Sequence, residues 1–446
     1  MLRSLFVAAA LMGCNSLAAN HVILITIDGF PARMLQDNRT DVPQIRALAA
    51  EGAMAEGMKV SNPSVTWPNH TTLVSGVRPS RHTVLFNGVL VHDDKGIAKI
   101  DPNKTAAELV KAPTVFDWLH QAGMKTAGVN WPCTRLSKSL DDDFPDSPDM
   151  LDFTTPRLRS ELVAEGILPS EKQVDFAKIG MPQRDEIWTK TACYLIRKRM
   201  PAFMAVHLLN TDSTHHKYGP ESMASYTALA LADRFVGDIV DAVTAAGQKK
   251  NTTIIVTADH GFATATNVLQ PNVLFRKADL ISVNTANQII KARAQCVPEG
   301  GSGFIYLNDP VTRDEDLKQI VKLLEGQEGV LDLIGPEKFE AIGIPPSGQG
   351  GSPDLILRPK IGYGVVGGVV GDSFVAPVTP AISSGYHGYI DEPLMNAIFV
   401  ASGRGIKKGA RLGMIENVDV APTVMQLLGK PLAVSAGKVL TEILSN

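Results

Sequence analysis

The sequence is poor in cysteine, with only four in 446 residues. None of them forms a Cys-x-x-Cys pair, which excludes a thiolate metal site of the common kind. Beyond the first 19 residues the cysteines are odd in number: Cys133, Cys193 and Cys296. One disulfide and one buried thiol would suit an oxidising compartment, but the spacing does not indicate which two would pair.

Long apolar runs are also lacking. After residue 19 no segment reaches the ~18 uninterrupted apolar residues that a membrane-spanning helix needs. The first 19 residues resemble an export signal, because Arg3 gives a positive start, Leu5 to Leu11 form a short apolar core, and Ser16 to Ala19 supply small residues for cleavage. We therefore predict a signal peptide over residues 1–19 and a periplasmic or secreted protein.

A second interpretation of the same segment is a lipoprotein signal. Leu11, Met12, Gly13 and Cys14 resemble a bacterial lipoprotein box, in which Cys14 would carry a lipid tether. A cut between Ala19 and Asn20 is the alternative. Lipidation at Cys14 would leave the mature protein tethered, whereas a cut between Ala19 and Asn20 would leave it soluble.

Charge of one sign is not in excess. The chain has 43 basic and 46 acidic residues, a net charge of −3, and no long run of either sign. A duplex nucleic acid as partner is therefore not expected, because its binding needs a basic stripe. The hydrophobic share of 44% is typical of a well-packed globular protein.

Strand signals alternate with helix signals along most of the chain, which predicts an α/β fold with a mainly parallel central sheet flanked by helices. The predicted strands are His21–Ile27, Lys125–Asn130, Ala202–Leu209, Thr252–Thr257 and Ala397–Ala401, and the main predicted helices are 43–50, 113–122, 223–246 and 420–428. Residues 265–380 change to short strands with Asn, Gly and Pro clusters. We predict a smaller inserted subdomain there, within a core formed by 20–264 and 381–446.

Metal-type side chains follow three of the predicted strands, and one more precedes the last predicted strand, at the sheet edge where α/β proteins bind ligands. They are Asp28, Asp212, His216, Asp259, His260 and His387. Each alone is more often a turn or structural residue. Together, mixed carboxylate and imidazole ligands suit two zinc ions or similar divalent cations. Such a pair stabilises the attacking and leaving oxygens of a displacement at phosphorus.

A candidate nucleophile stands at the start of another predicted helix, in Ser64-Val65-Thr66-Trp67-Pro68. Pro68 suits a first helical turn, and Gly76 suits the end of the helix. The Thr66 hydroxyl would lie beside unpaired backbone N–H groups and the positive end of the helix dipole, which favour a phosphoryl oxygen. The alternative is that Thr66 only caps the helix.

Five blocks of sequence occur in the order found in one known family. The blocks are ITIDGF (25–30), TWPNHTTLVSGVRPSRH (66–82), NTDSTHHKYGP (210–220), TADHGF (257–262) and GYHGY (385–389). They resemble those of the nucleotide pyrophosphatase/phosphodiesterase family of the alkaline phosphatase superfamily. The resemblance implies an alkaline-phosphatase-like fold and an exported two-metal phosphodiesterase or pyrophosphatase.

The resemblance also assigns roles to residues of this sequence. Thr66 would be the nucleophile bound to the second metal, forming a phosphothreonine intermediate, and the first metal would orient the water that hydrolyses it. The metals are expected to be zinc, with the first held by Asp212, His216 and His387 and the second by Asp28, Asp259 and His260. His216 is preferred to His215 because it alone gives the family's Asp-x-x-x-His-x-x-Gly-Pro spacing.

Four residues are predicted to contact the substrate, a small phosphodiester. Asn87 matches the family's Asn that hydrogen-bonds a phosphoryl oxygen. Trp67 and Trp131 offer aromatic walls, with ordinary packing as the alternative. His207 occupies the position where members that hydrolyse nucleotides commonly place an aromatic residue, so a nucleotide and a lipid head-group diester both remain open.

Two rival functions share these residues. A phosphomonoesterase of the same superfamily would need an added positive contact, for which Arg33, Arg78, Arg81 and Lys217 are available. A catalytically inactive metal-binding protein would lack the nucleophile or a ligand, and none is missing here. The sequence does not indicate an oligomeric state.

Overall fold

The computed structural model describes residues 21–93, 95–169, 176–379, 384–432 and 435–445. The predicted signal peptide and Cys14 therefore lie outside the described residues. Within the described ranges, no helix combines the length and the apolar character that crossing a membrane requires.

The main sheet has eight strands, labelled β1 to β8 in chain order. They are His21–Ile27 (β1), Ala53–Lys59 (β2), Thr126–Pro132 (β3), Asp142–Asp146 (β4), Phe203–Leu208 (β5), Thr252–Thr257 (β6), Phe399–Gly403 (β7) and Ala410–Glu416 (β8). Across the sheet their order is β8-β2-β7-β6-β1-β5-β3-β4. Only β7 runs antiparallel to its neighbours, which confirms the predicted mainly parallel sheet.

Strand β1 lies in the centre of the sheet, with β6 on one side and β5 on the other. Val22 to Ile27 are all buried. A parallel strand covered on both faces is expected to read as a continuous apolar run, and HVILITI does. The three central strands end together, so the residues that follow them meet at one edge of the sheet.

Helices cover this sheet, and those that the sequence predicted are found within a few residues of the expected bounds. The described α-helices are Ala32–Gln36, Pro43–Glu51, Thr66–Ser75, Pro79–His82, Ala106–Leu109, Val115–Gln121, Met150–Phe153, Pro156–Ala164, Met181–Lys198, Asn210–Tyr218, Met223–Ala245, Pro271–Lys277, Arg313–Leu324 and Val420–Leu427.

A second, antiparallel sheet lies within residues 265–380. Its strands, in spatial order, are Ala294–Pro298, Gly303–Leu307, Leu355–Pro359 and Val330–Ile334. One face of it contributes to a separate hydrophobic cluster that includes Phe275, Ile305 and Leu357. We call these four strands the small sheet. The domain boundaries at 264/265 and 380/381 remain a prediction.

The remaining strands form short ladders. They are Val89–His92 with Ala98–Asp101, Ile281–Val283 with Ile289–Ala292, Asn267–Leu269 with Tyr363–Val365 and Val375–Pro377, and Ala263–Thr264 with Gly385–Tyr386. The last ladder connects the segment after β6 to the segment that carries His387.

The expectation of a disulfide is wrong. Cys133, Cys193 and Cys296 are all buried free thiols. Each lies in a different surrounding: Cys133 packs with Trp67, Cys193 lies on a long helix, and Cys296 lies in the small sheet. No two of them are placed to pair.

Candidate active site

The six predicted metal ligands come together at the carboxyl edge of the central strands. Asp28 follows β1 directly, and Asp259 and His260 follow β6 after one residue. Asp212 and His216 lie on the helix Asn210–Tyr218 that follows β5. Neighbouring strands therefore place side chains from distant parts of the sequence within a few ångströms of each other.

Three of these residues form a group that solvent reaches, here called the outer group: Asp212, His216 and His387. The Nε2 atoms of the two histidines are 3.1 Å apart. Asp212 Oδ1 lies 3.4 Å from His216 Nε2 and 3.6 Å from His387 Nε2. The side chains are 13%, 32% and 11% exposed for Asp212, His216 and His387.

The other three form a fully buried inner group: Asp28, Asp259 and His260. His260 Nε2 lies 3.4 Å from Asp28 Oδ1 and 3.2 Å from Asp259 Oδ2, and all three side chains are 0% exposed. Asp212 also lies close enough to Asp28 and His260 to share a cation with them. The two groups adjoin, because the His260 and His387 rings stack at 3.8 Å between centroids.

All three histidines turn the same nitrogen towards the site. The Nδ1 atoms of His216, His387 and His260 donate to the backbone carbonyls of Gly385 (2.9 Å), Ser64 (2.9 Å) and Gly261 (3.1 Å). A carbonyl only accepts, so Nδ1 carries the ring hydrogen and Nε2 presents a lone pair. This arrangement is the usual support for a metal-binding imidazole.

The carboxylates also present unused acceptors. Asp28 Oδ1, Asp212 Oδ1 and Asp259 Oδ2 are buried atoms without a hydrogen-bond partner among the described residues. Buried polar atoms are rarely left so. Three such oxygens beside facing imidazole lone pairs fit divalent cations, which would satisfy the oxygens and relieve the repulsion between the nitrogens.

Burial sets the protonation of these groups when no cation is present. Burial, and then repulsion from Asp259, holds the pKa of Asp28 well above its ordinary value. Burial raises the pKa of Asp259 to about 8 and lowers that of His387 to about 4. The carboxyls of Asp28 and Asp259 therefore hold protons more readily than free carboxyls do, and a bound cation would displace those protons.

Thr66 is the first residue of the helix Thr66–Ser75, and its side chain does not cap that helix. The residue before it, Val65, occupies the cap position. Thr66 Oγ1 instead lies 3.4 Å from His260 Nε2, at the inner group. Thr66 therefore does not serve as the cap of this helix.

Not every backbone N–H group at the start of this helix is unpaired. The Trp67 N–H donates to Asn87 Oδ1 at 2.9 Å, and Pro68 has no N–H. Asn87 is itself exposed, and no described residue accepts a hydrogen bond from its Nδ2. The Thr66 N–H, which has no acceptor among the described residues, and the Asn87 Nδ2 are thus the two donors that remain beside Thr66 Oγ1.

Two of the predicted substrate contacts lie deeper than expected. His207 is fully buried, and its Nε2 lies 2.9 Å from Asp28 Oδ2. Trp131 is 1% exposed, and its ring packs edge-on against His70. These positions make His207 a neighbour of the predicted metal ligand Asp28 and place Trp131 in the core, not on an open wall.

Trp67 is the predicted aromatic wall that lies nearest to the nucleophile. It is 5% exposed, and its indole N–H donates to Asp146 Oδ2 at 3.0 Å. Burial raises the pKa of that Asp146 carboxyl to about 6. The Trp67 backbone and side chain are thus both hydrogen-bonded, which fixes the residue next to Thr66.

His215 stays out of the site, as the motif spacing predicted. It is fully buried and belongs to neither group of ligand atoms. Its ring packs against Phe262 instead.

Several supporting residues gave no recognisable signal in the sequence. Asp185, buried on the helix Met181–Lys198, accepts hydrogen bonds from the backbone N–H groups of Leu209 (2.8 Å) and Asn210 (3.1 Å). It thereby holds the start of the helix that carries Asp212 and His216. Ser64, whose carbonyl accepts the hydrogen bond from His387 Nδ1, is marked in the sequence only by its place two residues before Thr66.

Comparison with known proteins decides the family. The profile described as "Type I phosphodiesterase / nucleotide pyrophosphatase" matches residues 22–389. The chain belongs to this family.

Relatives in the type I phosphodiesterase / nucleotide pyrophosphatase family differ in how much of their length the chain covers. The bovine (Bos taurus) ectonucleotide pyrophosphatase/phosphodiesterase family member 3 is 25% identical over 54% of the chain, which spans 24% of that protein. The venom phosphodiesterase of Naja atra is 24% identical over 91% of the chain and 44% of its own length. Family member 7 of Mus musculus is 23% identical over 94% of the chain and 86% of its own length.

A solved structure shows the same fold. Murine ectonucleotide pyrophosphatase / phosphodiesterase 5 superimposes with a TM-score of 0.70 at 17% identity, covering 95% of this chain and 100% of that one. This likeness confirms the α/β fold with a mixed central sheet and flanking helices.

Proposed function

We propose that this protein is an exported, two-metal hydrolase of small phosphodiesters that uses Thr66 as its nucleophile. The observation that carries the proposal is the position of Thr66 Oγ1 beside His260 Nε2, next to three buried carboxylate oxygens without partners. Family membership supports the reaction class. Export is supported by the resemblance of residues 1–19 to a signal peptide and by relatives named as ectoenzymes.

The outer and inner groups would each hold one divalent cation, which the ligand set allows to be zinc. Two cations at such a site neutralise negative charge on the attacking and leaving oxygens of a displacement at phosphorus. The chain supplies three ligands to each: Asp212, His216 and His387 to the outer, and Asp28, Asp259 and His260 to the inner.

The reaction then has two displacements. Thr66 Oγ1 forms a bond to phosphorus as the bond from phosphorus to the leaving oxygen breaks, and the proton that Thr66 gives up leaves with that oxygen as the alcohol. A water molecule next attacks phosphorus, and the Thr66 Oγ1–P bond breaks to release the phosphomonoester. Asn87 Nδ2 is the donor placed to hydrogen-bond a nonbridging oxygen in both steps.

A solved structure of a relative supports the role of a threonine. An inactive threonine-to-alanine variant of murine ectonucleotide pyrophosphatase / phosphodiesterase 5 is described in complex with AMP. For this chain we propose Thr66 as the corresponding residue and leave the leaving group to experiment.

Two of the four basic residues that the monoesterase alternative could use are already paired with carboxylates. Arg33 pairs with Glu221 at 2.9 Å and also donates to the Phe262 carbonyl. Arg78 pairs with Glu416 at 2.5 Å. Both positive charges are thus already paired with carboxylates, which favours a diester carrying one negative charge over a monoester carrying two.

Hydrolysis rates on paired substrates test this proposal. Metal-loaded wild type, Thr66→Ala and the control Thr71→Ala would be compared on a nitrophenyl phosphodiester, a nucleotide diester and the matching monoesters. Thr71 lies on the same helix, and its hydroxyl donates to the Trp67 carbonyl at 2.8 Å. We expect diester preference in wild type and Thr71→Ala, and a loss of about a thousandfold or more in Thr66→Ala.

The other outcomes are equally informative. Preference for monoesters would move the protein to the phosphatase branch of the superfamily. Diester activity that survives in Thr66→Ala would refute the nucleophile assignment.

A further inference from the structure

The metal ligand His387 lies on a loop whose two sides contact different parts of the chain. On one side is Ser64, two residues before the nucleophile. His387 Nδ1 donates to the Ser64 carbonyl at 2.9 Å, and the Gly388 N–H lies 3.0 Å from Ser64 Oγ. These contacts fix the ring from the direction of the main sheet.

On the other side lies the turn 299–302, which joins two strands of the small sheet. The Gly301 N–H donates to the carbonyl oxygen of His387 itself at 2.5 Å. Ser302, which is fully buried, donates its hydroxyl to the Gly388 carbonyl at 2.8 Å. The turn therefore bonds to the backbone of the ligand and of the residue after it.

The approach between turn and loop is too close for side chains. A Cβ on Gly388, whose φ is +89°, would lie 1.6 Å from the Glu299 carbonyl oxygen. A Cβ on Gly301 would lie 2.3 Å from the Tyr389 ring and 2.6 Å from its backbone nitrogen. Because backbone meets backbone here, a shift of the turn moves the His387 backbone with it.

We propose that the turn 299–302 of the small sheet is the positioning element of His387, with Gly301 and Ser302 as its positioning residues. The inference rests on the proposed role of His387 as a ligand of the outer group. It gives the small sheet a part in the outer group only. The inner-group ligands have no hydrogen bond to this turn among the described residues.

A matched pair of serines separates this role from general packing. Ser302→Ala removes the hydroxyl that bonds the Gly388 carbonyl. Ser352→Ala, the control, removes another buried hydroxyl, which donates to the Pro345 carbonyl and not to the His387 loop. Both substitutions delete one oxygen and leave the backbone unchanged.

The readout is zinc affinity, measured by competition with a chromophoric chelator and combined with the metal content of the folded protein. Wild type and Ser352→Ala are expected to bind two zinc ions with the same two dissociation constants. Ser302→Ala is expected to keep one constant and to weaken the other about tenfold. Gly301→Ala is expected to weaken that same site further.

The outcomes are distinct. Two unchanged constants in Ser302→Ala, or equal weakening of both sites, would overturn the positioning role. A wild type that binds fewer than two zinc ions would overturn the proposed function and this inference with it. If Gly301→Ala fails to fold, the single-atom change in Ser302→Ala still decides.

Discussion

The inner and outer groups of ligands differ in what holds them and in how far solvent reaches them. Asp28 and Asp259 lie within two residues of the ends of β1 and β6, two adjacent buried strands, and the inner group is 0% exposed. The outer group comes from a helix and a loop, and His216 is 32% exposed. The inner group is therefore positioned by the sheet itself, whereas the outer group depends on separate supporting contacts.

Removing one histidine from each group should show this difference most clearly. His260→Gln and His216→Gln each remove an imidazole whose Nδ1 donates to a backbone carbonyl. We expect diester hydrolysis to fall about a thousandfold in His260→Gln, or about 4 kcal/mol, because Thr66 lies beside His260 and water cannot replace a buried ligand. We expect a loss of only about a hundredfold in His216→Gln, where water can enter.

Equal losses in the two variants, or a larger loss in His216→Gln, would show that burial does not determine which of the two groups matters more for the rate of diester hydrolysis. Zinc content should be measured on both proteins, so that loss of metal is separated from loss of catalysis by a loaded site.

His207→Phe tests whether the inner group needs a partner beyond its own ligands. Phe keeps an aromatic ring but removes both ring nitrogens: Nε2, which lies 2.9 Å from Asp28 Oδ2, and Nδ1, which lies 3.0 Å from the Asn130 carbonyl oxygen. We expect the affinity of the inner site for zinc to fall about tenfold to a hundredfold, as for other partners of metal ligands, with the outer site unchanged. A variant whose only change is in KM for the substrate would instead restore the substrate-binding role predicted for His207.

Sequence patterns predicted the inner group better than its supports. Asp28 and Asp259 follow continuous apolar strands, so their common position could be read from the strand ends. The contact of His207 with Asp28 could not be predicted, because its spacing from Asp212 carries no information about burial or about which side chain it meets. The strand Asp142–Asp146, with its DDFPD sequence, lacks the apolar pattern that identified β1.

The residues that position the outer group could not be predicted from the sequence, for a different reason. Asp185 acts through two backbone N–H groups, and Ser302 acts through a backbone carbonyl. Every residue type offers such backbone groups, so no motif marks the partners. Only the folded chain brings Asp185 to residue 209 and Ser302 to residue 388.

Asp185→Asn gives the smallest expected effect and has a close control. Asp233 is likewise buried and accepts hydrogen bonds from the N–H groups of Gln44 and Ile45. These two residues begin the helix Pro43–Glu51, which carries none of the predicted ligands. We expect both Asn variants to lose about 1 kcal/mol of stability through the weakened helix start. Only Asp185→Asn should also weaken the outer zinc, by less than about tenfold.

Denaturant unfolding and zinc competition, performed on both variants, check this prediction. If Asp233→Asn weakened the zinc as much as Asp185→Asn, the effect would reflect overall stability and not the position of the ligand helix.

The stereochemistry at phosphorus tests the central claim, covalent attack by Thr66, most directly. A chiral phosphorothioate diester would be hydrolysed in ¹⁸O-labelled water, and the configuration of the product would be determined. Attack by Thr66 followed by attack of water makes two in-line displacements, so the account predicts net retention. Net inversion would mean that water attacks the diester in a single step, and would contradict it.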